Sequence, residues 1–167
     1  MSTKEKSIHQ FTVNNIEGEE VNLADYEGKV LMVVNTASKC GFTPQLDDME
    51  DIYREFREEG FEILAFPSND FAGQEPLDGK EIQQFCQIKY DASYPIFEKV
   101  HVKGGDVHPV FNFLSRRSEN GKISSTPRWN FHKYLIDKEG KVRTFFYTFT
   151  RPNANKVKRA IRRLIEE

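Results

Sequence analysis

The stretch VVNTASKCGFTPQ, from Val33 to Gln45, decides the fold. Its start closes a continuous apolar run, VLMVVN (Val30–Asn35), the pattern of a central strand buried on both faces. Thr43-Pro44 then offers an N-cap and a proline at the first helical position. Asp47 and Asp48 follow where the positive end of a helix dipole favours them. Leu46, Met49, Ile52, Tyr53 and Phe56 form an apolar stripe at helical spacing, and Gly60 ends the helix. Phe61–Phe66 (FEILAF) reads as the next buried strand, which completes a βαβ unit.

Working outward, Ile8–Val13 and Glu19–Leu23 are predicted as short strands around a turn at Asn14–Gly18. Asp78 and Glu81 make a capping-box-like start for a helix through Ile82, Phe85 and Ile88. A shorter helix is predicted over Val107–Arg117. Phe131–Ile136 and Val142–Thr148 flank Asp137-Lys138-Glu139-Gly140, a hairpin signature. Val157, Ala160, Ile161, Leu164 and Ile165 define a final amphipathic helix. No repeat, low-complexity tract or linker interrupts the chain, so one domain over residues 1–167 is expected. A βαβ half followed by a helix and a ββα half predicts an α/β, thioredoxin-like fold. It has a central mixed β-sheet flanked by helices and an N-terminal β-hairpin.

Composition sets limits on function. With 38% hydrophobic and 30% charged residues and a net charge of −2, the chain lacks the footprint of a nucleic-acid or anionic-membrane binder. The N-terminal MSTKEKSIHQ has no apolar core, and no apolar run is long enough to span a bilayer. A cytoplasmic protein with no integral membrane segment is expected. His9, His101, His108 and His132 show no ligand spacing with the two cysteines, so neither a metal nor a cofactor is expected. The basic cluster Lys156, Lys158, Arg159, Arg162 and Arg163 reads as a solvated helix face.

Two cysteines in such a chain are core residues or working thiols rather than a permanent staple. Cys40 falls just past a central strand and just before a helix, the edge where open α/β sheets place their sites. The helix N-terminus and Lys39 both favour thiolate over thiol. Where a dithiol motif C-x-x-C would need a second cysteine, the chain has Cys40-Gly41-Phe42-Thr43. A lone activated thiolate suits attack on an electrophile better than disulfide shuffling.

Three segments, NTASKCGFT (Asn35–Thr43), LAFPSNDFAGQEP (Leu64–Pro76) and WNFHKYLIDKEGKV (Trp129–Val142), resemble the signature segments of the glutathione peroxidase family in order and spacing. The resemblance implies a peroxidatic Cys40 whose thiolate attacks a peroxide oxygen and becomes a sulfenic acid. It implies catalytic roles for Gln74, Trp129 and Asn130, whose amide and indole N–H groups can donate to a sulfur anion and a departing oxygen. Cys86, in EIQQFCQIKY, resembles the resolving cysteine of the thioredoxin-dependent branch, which implies a Cys40–Cys86 disulfide reduced by thioredoxin, with glutathione the competing reductant. The short stretch between His108 and Arg128 lacks the insertion of tetrameric, glutathione-using members, which implies a monomer. The substrates implied are hydrogen peroxide and organic hydroperoxides. The alternative is a peroxide sensor or redox relay that passes oxidation from Cys40 to a client protein.

The sequence departs from the family in two places. Ser68 stands where many thiol-type members carry a further cysteine, and Asp70 stands where glutamine is usual. Asp70 is expected to point to solvent.

Overall fold

The computed structural model describes residues 6–167; the first five residues, on which part of the N-terminal reading rests, lie outside the described residues. Among the described residues there are six strands: β1 (Thr12–Asn14), β2 (Glu20–Asn22), β3 (Val30–Thr36), β4 (Phe61–Pro67), β5 (Lys133–Ile136) and β6 (Val142–Phe146). Five helices accompany them: α1 (Gln45–Phe56), α2 (Gly79–Tyr90), α3 (Pro109–Ser115), α4 (Arg117–Asn120) and α5 (Asn155–Ile165). β1 and β2 pair antiparallel as the expected hairpin. The other four form one mixed sheet in the order β4-β3-β5-β6. β3 runs parallel to β4 and antiparallel to β5.

Why β3 is apolar throughout follows from its place. All seven of its residues are buried, and successive side chains enter different cores. Val30, Met32 and Val34 pack on the side that carries α1 and α5. Leu31 and Val33 pack on the side that carries α3. Each such aliphatic side chain contributes about 1.5–3 kcal/mol through burial. The antiparallel partner begins where β3 ends, with Lys133 opposite Val34. Topology therefore brings the end of β3 and the start of β5 to one edge of the sheet.

Several expectations are corrected. Ile8–Gln10 forms a 3-10 turn, because the Ser7 side chain caps it by accepting from the His9 amide. The first strand is thereby shortened to Thr12–Asn14. The Val107–Arg117 helix spans Pro109–Ser115 and is followed by a second short helix, the two separated by an extended Arg116. β6 stops at Phe146, since the carbonyls beyond it turn toward a buried lysine rather than a neighbouring strand. On α2, Ile82 and Cys86 are buried one turn apart, while Ile88 is 83% exposed. Two residues past Cys86 lie about 200° around the helix, which takes Ile88 to the water side. Asp78 stands at the N-cap position of α2 but makes no side-chain cap; its carboxylate pairs with Lys99 at 2.9 Å. In the basic cluster, Lys158 and Arg162 form ion pairs with Glu55 of α1, so part of that face is internal packing.

The hairpin turn after β5 shows glycine used for space. Gly140 has φ +82°, and a Cβ there would lie 2.2 Å from Ser7 Oγ and 2.7 Å from the His9 ring. The turn is thus pressed against the N-terminal segment, where Ile8 N donates to Gly140 O at 2.8 Å.

Candidate active site

Cys40 lies in the loop between β3 and α1, 8% exposed. Thr43, expected as a helix cap, does something else. Its hydroxyl accepts from Cys40 N at 2.9 Å and donates to Ala37 O at 2.8 Å, bracing the cysteine loop from within. Pro44 takes the N-cap position without a side-chain bond. The turn it stabilises aims one backbone donor at the sulfur, Phe42 N to Cys40 Sγ at 3.4 Å. Lys39 is exposed, with its ammonium over the Phe85 ring of α2, 5.9 Å from the centroid.

Two further segments are bonded to this loop. Lys39 N donates to Gln74 O at 2.9 Å, and Ser38 Oγ donates to Glu75 Oε2 at 2.9 Å. Asn35, fully buried at the end of β3, grips the segment that leads into β5. Its Nδ2 donates to Trp129 O at 3.1 Å, its Oδ1 accepts from His132 N at 3.0 Å, and its backbone O accepts from Phe131 N at 2.6 Å. Asn130 Nδ2 then donates to Gln74 Oε1 at 3.0 Å and closes the ring of contacts. Segments 35–43, 74–75 and 129–132 are thus bonded pairwise. The Asn130–Gln74 bond occupies the Gln74 acceptor and leaves its NH2 end to donate elsewhere.

Trp129 is half-buried, 5.6 Å from the Phe71 ring. With Phe42, Arg128, Tyr147 and Phe149 it lines a cavity of about 370 Å³. A second cavity, of about 620 Å³, lies against Gly41 and Phe42, with Lys89, Tyr90 and Arg151 among its walls. Phe149 is 83% exposed and meets Phe42 edge to face at 5.5 Å, so apolar surface surrounds the cysteine loop.

Cys86 is 3% exposed on α2, within the same hydrophobic cluster as Cys40. Both cysteines are free thiols. Burial, with the Glu75 carboxylate adding to it, pushes the Cys86 thiol up to about 12. Glu75 is itself raised by burial, against the Ser38 hydrogen bond and Lys99. Asp70 does not point to solvent as expected. It accepts from His101 Nδ1 and from the Val102 amide, each at 2.7 Å, and from Lys103 N at 3.3 Å. Burial would raise its pKa, but those donors outweigh it and hold Asp70 below the usual carboxylate value. Ser68 is buried and its hydroxyl accepts from Asp70 N at 3.3 Å. Among the described residues no group of three or more His, Cys, Asp or Glu is arranged to hold a metal ion.

The sequence reading missed three supporting residues. Asn35 stands in the sequence as the end of an apolar run and the start of the NTASKCGFT segment, with no role of its own assigned. Thr148, whose hydroxyl donates to Asn130 O at 2.6 Å, was read as the end of a strand. Lys133 was passed over, although a lysine inside the β-type run FHKYLI is the signal that could have found it.

Comparison with known proteins identifies the family and the fold. The sequence pattern of the glutathione peroxidase family matches residues 8–115. A glutathione peroxidase of Lactococcus lactis is 43% identical, over 87% of this chain and 92% of its own. A glutathione peroxidase homolog of Halalkalibacterium halodurans is 48% identical, over 81% of this chain and 86% of its own. A protein of Synechocystis named a hydroperoxy fatty acid reductase is 42% identical, over 88% and 90% of the two chains. The crystal structure of Trgpx in apo form superposes with a TM-score of 0.76 at 33% identity, covering 96% of each chain. A thioredoxin-family thiol:disulfide interchange protein from Chlorobium tepidum, at 15% identity and a TM-score of 0.66 over 93% and 92% of the chains, shares the fold. The family pattern over residues 8–115 and relatives 42–48% identical over most of the chain's length place this chain in the glutathione peroxidase family.

Proposed function

We propose that this peroxidase works through Cys40 and recycles through Cys86, with thioredoxin as the reductant. The observation that supports this most is the amide of Phe42 on the Cys40 sulfur, inside the ring of bonds that links Gln74 and Asn130 to the cysteine loop. In the first step the Cys40 thiolate attacks one oxygen of ROOH. The O–O bond breaks, the sulfur becomes a sulfenic acid, and ROH leaves with a proton from solvent. Gln74, Trp129 and Asn130 supply fixed N–H dipoles for the charge that develops on sulfur and departing oxygen. In the second step the Cys86 sulfur displaces water from the sulfenic acid, forming the Cys40–Cys86 disulfide. Thioredoxin dithiol then reduces that disulfide, restoring both thiols and becoming a disulfide itself.

Hydrogen peroxide and organic hydroperoxides are the proposed substrates. The apolar surroundings of the loop suit the larger ones, and the name of the Synechocystis relative is consistent with them. The chain is read as one domain acting as a cytoplasmic monomer. Among the described residues no helix is long and apolar enough to cross a membrane. The test is nicotinamide-coupled turnover with thioredoxin and its reductase against turnover with glutathione and its reductase. Rapid multiple turnover with thioredoxin and little with glutathione is expected. The reverse would overturn the choice of reductant. One peroxide equivalent consumed without recycling by either would favour a sensor that hands its oxidation to a client.

A further inference from the structure

Lys133 is fully buried, on β5, next to the segment that carries Asn130. Lysine is almost never buried so completely unless paired, and desolvating an ammonium costs several kcal/mol. Its acceptors here are three backbone carbonyls of one turn, Tyr147 O at 3.3 Å, Thr148 O at 3.2 Å and Thr150 O at 2.5 Å. Gln45 Nε2, at the start of α1, adds a further bond to Thr148 O at 2.7 Å. The turn so held presents the Thr148 hydroxyl, 6% exposed, to Asn130 O at 2.6 Å. Asn130 in turn donates to Gln74. The same turn supplies Tyr147 and Phe149 to the cavity beside Trp129. An apolar residue in place of Lys133 would avoid the desolvation, so fold stability alone does not account for an ammonium at this position.

We propose that Lys133 is a positioning residue: its ammonium locks the turn at residues 147–150, and the Thr148 hydroxyl passes that constraint to Asn130 and so to the Asn130–Gln74 pair. The inference rests on the reading that Asn130 and Gln74 serve the Cys40 reaction. An ammonium carries three N–H donors, one for each carbonyl. Burial pushes its pKa down to about 7, while Asp48, facing it from α1, raises it. The three carbonyls also favour the protonated form, because a neutral amine has only two N–H groups for three acceptors.

Single-turnover oxidation of the reduced protein by hydrogen peroxide tests this, with Lys133→Met, Thr148→Val, Thr148→Ser and Asn130→Ala beside the parent. Misplacing a reacting group by a fraction of an ångström to one ångström slows reaction by roughly ten- to a hundredfold. Lys133→Met and Thr148→Val are expected to lose that much in rate, and Thr148→Ser, which keeps the hydroxyl, to stay within about twofold of the parent. The emission of Trp129, the one tryptophan in the chain, is expected to shift in the two slow variants and not in Thr148→Ser. If Lys133→Met does not fold, the Val–Ser pair at position 148 decides alone. A parental rate in Thr148→Val while Asn130→Ala is slow would overturn the positioning role and leave the site reading intact. A parental rate in Asn130→Ala would overturn the site reading itself.

Discussion

At the residue scale, the chemistry proposed for the site depends on where two side-chain amides are aimed. Gln74 and Asn130 are hydrogen-bonded to each other, so each sets the orientation of the other. Gln74→Ala and Asn130→Ala are each expected to slow Cys40 oxidation roughly a hundredfold, the usual effect of removing one preorganised donor. Because the two amides act as a unit, the double variant should lose clearly less than the product of the single losses. Stopped-flow rates on the four proteins would show it, and simple multiplication would mean that the pair does not act jointly. Both amides were legible in the sequence, because QEP and WNF sit within long motifs. The supporting roles of Asn35, Thr148 and Lys133 were not, even with Asn35 and Lys133 inside such motifs, because they act through backbone carbonyls and amides of residues distant in the chain. No local pattern marks such bonds.

At the scale of elements, α2 is a helix lightly held by the core. Only Ile82 and Cys86 of its twelve residues are buried, and its N-cap residue makes no side-chain cap. Segments with so few apolar contacts open well below the global unfolding free energy. The raised Cys86 pKa implies a protonated thiol in the closed helix at neutral pH, so opening would both free the sulfur and restore its ordinary acidity. At pH 7.5, iodoacetamide should therefore label Cys40 first, and Cys86 far more slowly until mild denaturant loosens α2. Equal labelling rates in the native protein would contradict a closed α2.

Gly140 gives a second prediction at this scale. Gly140→Ala places a methyl group onto Ser7 and His9 at a backbone angle that alanine disfavours. A loss of about 2–4 kcal/mol is expected by denaturant titration, from strain and overpacking together. What the sequence showed of the elements was the strongly periodic part, VLMVVN, FEILAF and the α1 stripe. Local propensity favours a cap at Thr43 and at Asp78 and a strand at Ile8–Gln10, but Thr43 bonds within the cysteine loop, Asp78 pairs with Lys99, and the Ser7 cap and the Gly140 turn hold Ile8–Gln10.

At the scale of the whole molecule, acid should destabilise the fold through its buried histidines. Burial lowers the pKa of His132 to about 4, and lowers His9 and His108 against the pull of nearby carboxylates. The unfolded chain then binds more protons than the folded one below about pH 6.5, so stability falls as pH drops from there toward 4. His132 alone contributes about 3 kcal/mol to that loss. His101, raised by its hydrogen bond to Asp70 at the surface, and Glu62 and Glu75, raised by burial, act in the opposite sense and partly offset that loss. Melting temperatures between pH 7 and 4 should fall steadily in the parent and less steeply in His132→Gln. A flat profile would mean that His132 is not held neutral. The antiparallel step from β3 to β5 has one more effect, which concerns synthesis. It recruits the Trp129–Asn130 segment from late in the chain to a loop made early. A ribosome that has emitted residues 1–100 has released the thiol and Gln74 without the indole and the Asn130 amide proposed to act with them. Peroxide reactivity at Cys40 would then arrive only with the last third of the chain, so that a nascent or truncated polypeptide is shielded from wasteful oxidation by its own incompleteness.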